Sequence, residues 1–265
     1  MDILERNNVK VIGQGDQAMI FSHGFGCDQN VWRYITPGFL ATHRVVLYDH
    51  VGAGDSDLRA YSPIKYSQLE GYADDLLEIC RRLDLANVVF VGHSVGAMIG
   101  MLAAMQEPRR FAHLVLITPS PCYINDGGYV GGFERKDLEE LLALMDADYP
   151  HWAETVAPLI MGNPEEPSLG AELAESFCRT DPTIARQFAR VTFLSDNRSD
   201  LPRLRTPALI LQCHRDMIAP PEVGEYLRQH LRDATLVTLN ASGHCPNLSA
   251  PMETVAAMEQ YLMAS

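Results

Sequence analysis

The chain has 265 residues, with 21 Lys and Arg against 34 Asp and Glu and a formal net charge of −13 at pH 7. So acidic a surface repels phosphate backbones and anionic lipid, and no local run of Lys or Arg offsets it, which argues against nucleic-acid and membrane partners. The length suits one folded core carrying an insertion, and no apolar run approaches the roughly 20 residues that a bilayer span needs.

In chain order, Met1 to Arg6 carries two acids and no apolar stretch, so no secretory signal is read and a cytoplasmic protein is expected. Gly13-Gln14-Gly15-Asp16 has two glycines of a dinucleotide loop but lacks the third and the following helix; a hairpin turn is expected. An apolar run over 18–21 predicts a strand that ends in His23-Gly24-Phe25-Gly26. A second run, 45–48, ends in Asp49 and the Gly-rich turn that reaches Ser56. Leu69, Tyr72, Ala73, Leu76, Leu77, Cys80 and Leu83 then step by three and four. That spacing predicts an amphipathic helix with Asp74, Asp75 and Glu78 turned away from its apolar stripe. Strand 88–91 runs directly into Gly92-His93-Ser94-Val95-Gly96 and an apolar helix over 97–105, and another strand follows at 114–117.

From Cys122 to Pro202 no convincing strand appears, only four helix-like pieces: 136–148, 151–161, 169–178 and 182–194. The last has a clear start, with Asp181 placed to accept from free N–H groups and Pro182 at the first helical position. Strands return at 208–211 and 236–239. The strand runs lack polar alternation, so they are buried on both faces, as in a parallel sheet covered by helices. The fold class is therefore α/β: a core over 1–121 and 203–265 with a helical cap (lid) inserted over 122–202. Six cysteines stand singly, without zinc-ligand spacing, and read as reduced, mostly buried small hydrophobes; no metal site is expected.

Ser94 occupies a strand-to-helix turn in a GxSxG setting, where small residues at Gly92 and Gly96 leave room for a tight, strained backbone that projects the serine. A serine hydroxyl needs a base. Of nine histidines, His244 lies after the last strand, where a loop at the strands' carboxyl ends overhangs Ser94. His43, His50, His113 and His230 are expected at the surface or core edge, and His93 as a buttress of the turn. Asp216, ending the preceding strand, is the carboxylate that would orient the imidazole; Asp49 reads as loop-fixing and Asp126 stays open as a displaced acid. The order Ser94, Asp216, His244 is that of α/β-hydrolases. Backbone N–H groups of Phe25 and Val95 are the expected oxyanion donors.

These motifs, with Asp57 to Tyr61, Pro119 to Asp126, Gly131 to Glu134, Asp181 to Phe188 and Gly243 to Pro246, resemble the RsbQ group of bacterial α/β-hydrolases and, similarly, the plant karrikin and strigolactone receptor hydrolases. The resemblance covers nearly the whole chain. It implies an α/β-hydrolase fold with a V-shaped four-helix cap over an apolar site, the same Ser94, Asp216 and His244, the same Phe25 and Val95 amides, and substrate-binding aromatics at Phe25, Tyr123, Phe133, Trp152 and Phe193. It further implies a role in stress-response signalling beside a PAS-type sensor or phosphatase. The expected function is thus a cofactor-free serine hydrolase for a small hydrophobic ester- or lactone-like molecule, read by a partner protein. A metabolic ester or carbon–carbon bond hydrolase, and a ligand-binding receptor with little turnover, are the alternatives. Dehalogenases and epoxide hydrolases of this fold need a carboxylate nucleophile, which Ser94 is not.

Overall fold

In a computed structural model, described over residues 1–264, the strands are β1 (Lys10–Ile12), β2 (Gln17–Ser22), β3 (His43–Leu47), β4 (Val88–His93), β5 (Phe111–Ile117), β6 (Ala208–Arg215) and β7 (Ala234–Ser242). They form one sheet in the order β1-β3-β2-β4-β5-β6-β7, parallel except for β1, which pairs antiparallel with β3. The central β4 is buried along its whole length, as a two-faced apolar strand must be. The edge strand β7 is largely half-exposed. Chain order reverses between β2 and β4, so a crevice opens at their carboxyl ends, where ligands bind in sheets of this kind.

The helices are α1 (Ile3–Arg6), α2 (Leu69–Arg82), α3 (Val95–Gln106), α4 (Arg135–Ala147), α5 (Tyr149–Met161), α6 (Pro167–Arg179), α7 (Pro182–Phe193), α8 (Pro221–His230), α9 (Pro246–Ser249) and α10 (Pro251–Ala264). Helices α4 to α7 all lie in the segment between β5 and β6, above the carboxyl ends of the strands. Its neck is closed by a bridge between Cys122 and Asp196 and by the Asn197 N–H donating to Pro121 O at 2.7 Å. Capping explains where these helices begin. Asp181 accepts from the N–H groups of Thr183 (2.8 Å) and Ile184 (3.2 Å), and Asp148 starts α5 the same way. Among the described residues, no helix is long and apolar enough to cross a membrane.

Three expectations are corrected. Residues 13–16 do not close a hairpin: β1 pairs with β3, and the loop crosses the start of β3 before entering β2. Glycine is needed there because a Cβ on Gly15 would lie 1.9 Å from Thr42 O. Asp75 does not face away from the stripe of α2. It is buried, bound by Arg6 Nη2 at 2.6 Å, the Tyr66 hydroxyl at 2.8 Å and Lys65. Burial pushes its carboxyl up, against the two cations beside it. His50 is interior rather than at the edge.

Candidate active site

The chain leaves β4 through a turn so tight that a Cβ on Gly92 would meet Ala97 N at 2.7 Å and one on Gly96 would meet Ser22 O at 2.5 Å. Ser94 sits between them at φ 55°, ψ −122°, a left-hand-side backbone that a non-glycine residue adopts only when its surroundings impose it. Its Oγ is 2.8 Å from His244 Nε2, and His244 Nδ1 is 2.7 Å from Asp216 Oδ2. The carboxylate accepts from Nδ1–H, which leaves on Nε2 a lone pair able to take the serine proton. The other carboxylate oxygen, Oδ1, accepts from the N–H groups of Ile218 (2.8 Å) and Ala219 (3.2 Å), so Asp216 is fixed at both oxygens. All three side chains are buried.

The backbone of His244 is held on three sides. Its N–H donates to Ile160 O at 2.9 Å, while its carbonyl accepts from Thr118 Oγ1 at 2.9 Å and His93 Nε2 at 2.7 Å. His93 therefore ties the turn at Ser94 to the loop of His244, bracing that loop and not only the turn, as its position implied. Burial and the neighbouring His244 push the His93 imidazole down to about 3, so it stays neutral. Asp49 fixes loops and takes no part in the site: it accepts from Gln29 N–H, Asn8 Nδ2 and Asp55 N–H. Asp126 lies on the surface, paired with Arg198.

The turn after β2 carries Phe25, whose N–H is expected to serve as an oxyanion donor. His23 Nδ1–H donates to Gly24 O at 2.9 Å, and its Nε2 accepts from His50 N–H at 3.1 Å. His50 Nε2 reaches back to His23 O at 3.1 Å and Ser22 Oγ at 3.2 Å, and Tyr48 donates to Ser22 at 2.9 Å. This buried polar pedestal fixes the turn. Among the described residues, neither Phe25 N–H nor Val95 N–H, the latter opening α3, has a hydrogen-bond partner. Both amides are available to a developing oxyanion.

Phe25 is also the hub of the cap contact. Its ring meets Phe177 at 5.5 Å, Phe188 at 5.8 Å, Phe193 at 5.9 Å and Trp152 at 6.3 Å, centroid to centroid. The cavity over Ser94 is bordered by Phe25, Ile160, Leu173, Phe177, Phe193 and Ile218, with Cys27 and Cys245 beside them. Its volume is about 20 Å³, room for a single water. Tyr123 approaches from the neck of the cap, its hydroxyl 3.5 Å from Ser94 Oγ; burial pushes the phenol up to about 12, which keeps it a neutral donor. Two aromatics named from the resemblance stand elsewhere. Trp152 backs the wall by stacking on Phe177 at 5.6 Å rather than bordering the cavity. Phe133 is half-buried, its backbone joined to Tyr123 and Asn125, and is not among the bordering residues. Phe177, Ile160, Leu173, Thr192 and Ile218 went unremarked in the sequence. The helical stripe of α6 carries Leu173 and Phe177 inward, but nothing in the stripe says which core it faces.

Residues 19–258 match the model of the alpha/beta hydrolase family. The chain belongs to that family. This alpha/beta hydrolase is 41% identical over 253 residues to "Strigolactone esterase D14" of Arabidopsis thaliana, covering 95% of this chain and 94% of that one. It is 38% identical over 248 residues to "Karrikin insensitive 2 receptor CA" of Petunia hybrida, covering 93% and 92%. A solved hydrolase from Oleispira antarctica superposes with a TM-score of 0.97 at 43% identity, over 100% of this chain and 97% of that one. The relatives are thus named both as esterases and as receptors, and this hydrolase shares its fold and length with them.

Proposed function

We propose that this hydrolase cleaves the ester or lactone bond of a small, largely apolar molecule through an acyl intermediate on Ser94, at low turnover, in a cytoplasmic signalling role. The observation that carries the reading is the unbroken line Asp216, His244, Ser94, at 2.7 and 2.8 Å, ending inside a cavity bordered mostly by apolar side chains. Ser94 Oγ attacks the carbonyl carbon as His244 Nε2 takes its proton, and the oxyanion is met by the Phe25 and Val95 amides. The tetrahedral centre expels the alcohol oxygen, which receives the proton from His244. Water then attacks the acyl-serine with His244 again as base, releasing the acid and restoring the serine. Asp216 holds the tautomer and offsets the imidazolium charge.

The small cavity favours a second emphasis, that of a receptor in which bound or acylated states persist, because a ligand larger than a water fits only if the cap moves. The esterase and receptor names of the relatives support both halves of this reading. In the RsbQ-like form of the proposal the signal is read by a PAS-type sensor or phosphatase. Treatment with a fluorophosphonate is expected to add one adduct at Ser94, seen by intact mass, and Ser94→Ala to remove both the adduct and hydrolysis of para-nitrophenyl esters. A Ser94→Ala protein with undiminished esterase activity overturns the mechanism. Pull-down from bacterial lysate with the wild type and Ser94→Ala, followed by identification of captured sensor proteins, tests the partner.

A further inference from the structure

Apart from Ser94, His244 and His93, the residues that border the cavity are apolar or cysteine with one exception, Thr192 on α7. Thr192 is 1% exposed and its Oγ1 has no hydrogen-bond partner. A threonine inside a helix ordinarily settles its hydroxyl on the carbonyl one turn back. Here that bond is absent, and it is the Thr192 carbonyl that is engaged, accepting from Ser195 Oγ at 2.8 Å. A buried hydroxyl without a partner is unfavourable, and a bound molecule that brings it an oxygen removes the penalty. The bordering sulfurs do not compete for it: burial pushes the Cys27 thiol up to about 12 and raises that of Cys245 well above its ordinary value, so both stay neutral and weakly polar.

We propose that Thr192 is a specificity-determining residue whose hydroxyl binds a second oxygen of the substrate, distinct from the scissile carbonyl. The preferred substrates are then esters or lactones bearing an ether, hydroxyl or further carbonyl oxygen within the cavity, not purely hydrocarbon esters. This rests on the hydrolase reading above. It adds to that reading the chemistry that selects among esters, since an apolar site holding one unsatisfied hydroxyl discriminates against the analogue that leaves it unpaired.

Matched substrates that exchange one CH₂ for O test it. On the acyl side these are para-nitrophenyl butyrate and para-nitrophenyl methoxyacetate; on the alcohol side, butyl acetate and methoxyethyl acetate. Intrinsic reactivity cancels when the oxygen-to-methylene ratio of kcat/KM is compared between wild type and the near-isosteric Thr192→Val. In at least one pair that ratio is expected to fall about 3- to 10-fold in Thr192→Val, the size of one neutral hydrogen bond, and to be kept in Thr192→Ser. Unchanged ratios in both pairs overturn the proposal and mean that the hydroxyl is met by a buried water only. If the wild type hydrolyses none of the four and Ser94 takes no fluorophosphonate, it is the hydrolase reading that fails. Binding of methoxyethyl acetate against butyl acetate to Ser94→Ala, with and without Thr192→Val, then decides the subsite alone: a preference that needs Thr192 supports it, and none overturns it.

Discussion

At the scale of single residues the site depends on which nitrogen of each imidazole holds the proton. Asp216 anchors His244 Nδ1–H, so Asp216→Asn, which can present an N–H to that nitrogen and stabilise the wrong tautomer, is expected to lower kcat about ten-thousand-fold with little change in fold. Steady-state kinetics beside a thermal melt check this; a loss under tenfold would mean that the carboxylate is structural only. The other interior histidines govern pH dependence. Burial holds His23 and His50 below the ordinary imidazole value and puts His93 at about 3. The unfolded chain takes up protons on these rings from about pH 6.5 downward, while the folded chain does not. Their contribution is therefore complete above that value and is lost progressively as the pH falls from it towards the lowered folded-state values, about 3 for His93. Melting temperature is expected to drop between about pH 7 and pH 5, before most carboxylates titrate, and His93→Gln to flatten part of the slope. A melting temperature constant across that window contradicts the burial argument.

At the scale of elements, what could be read from the sequence was whatever local chemistry decides. Asp181-Pro182 announced the start of α7 because an N-cap is satisfied within three residues of itself, and the structure shows its two hydrogen bonds. Asp181→Ala is expected to cost about 1 kcal/mol and to lower the melting temperature by roughly 2–4 °C, measured by calorimetry. Ser94, Asp216 and His244 were legible for a related reason: each follows a strong strand signal, so its end of the sheet was known. The short β1 was not legible, being three exposed residues whose partner, β3, is chosen by tertiary packing. Asp75 escaped likewise, since the groups that hold it, Arg6 and Lys65, come from other elements. The cavity wall was read only in part for the same cause. Its aromatic members come from helices whose stripes announce burial but not the neighbour.

At the scale of the whole molecule, cap and core are stitched by polar contacts around an apolar seam. Ser176 donates to Gly26 O at 2.8 Å, Arg33 and Glu172 pair at 2.8 Å, and Arg179 pairs with Asp28 at 3.0 Å. The cysteines report on this seam. Cys178 is exposed, Cys27 and Cys245 border the cavity, and Cys80 and Cys213 lie in the core. Brief alkylation followed by peptide mapping is expected to label Cys178 first, Cys27 and Cys245 at the slower rate of cap opening, and Cys80 and Cys213 only on unfolding. Equal rates for the last two pairs would mean that the cap does not move independently.

The N–H of His244 hangs from Ile160 O, near the end of cap helix α5, so the proposed general base and the cap share a fastener. Reciprocity follows by thermodynamic necessity: if a protein that grips the outside of the cap displaces that helix, altering how tightly the site holds its guest, then the guest must alter the grip by the same factor. In such an arrangement one backbone amide lets an occupied interior be felt on the exterior.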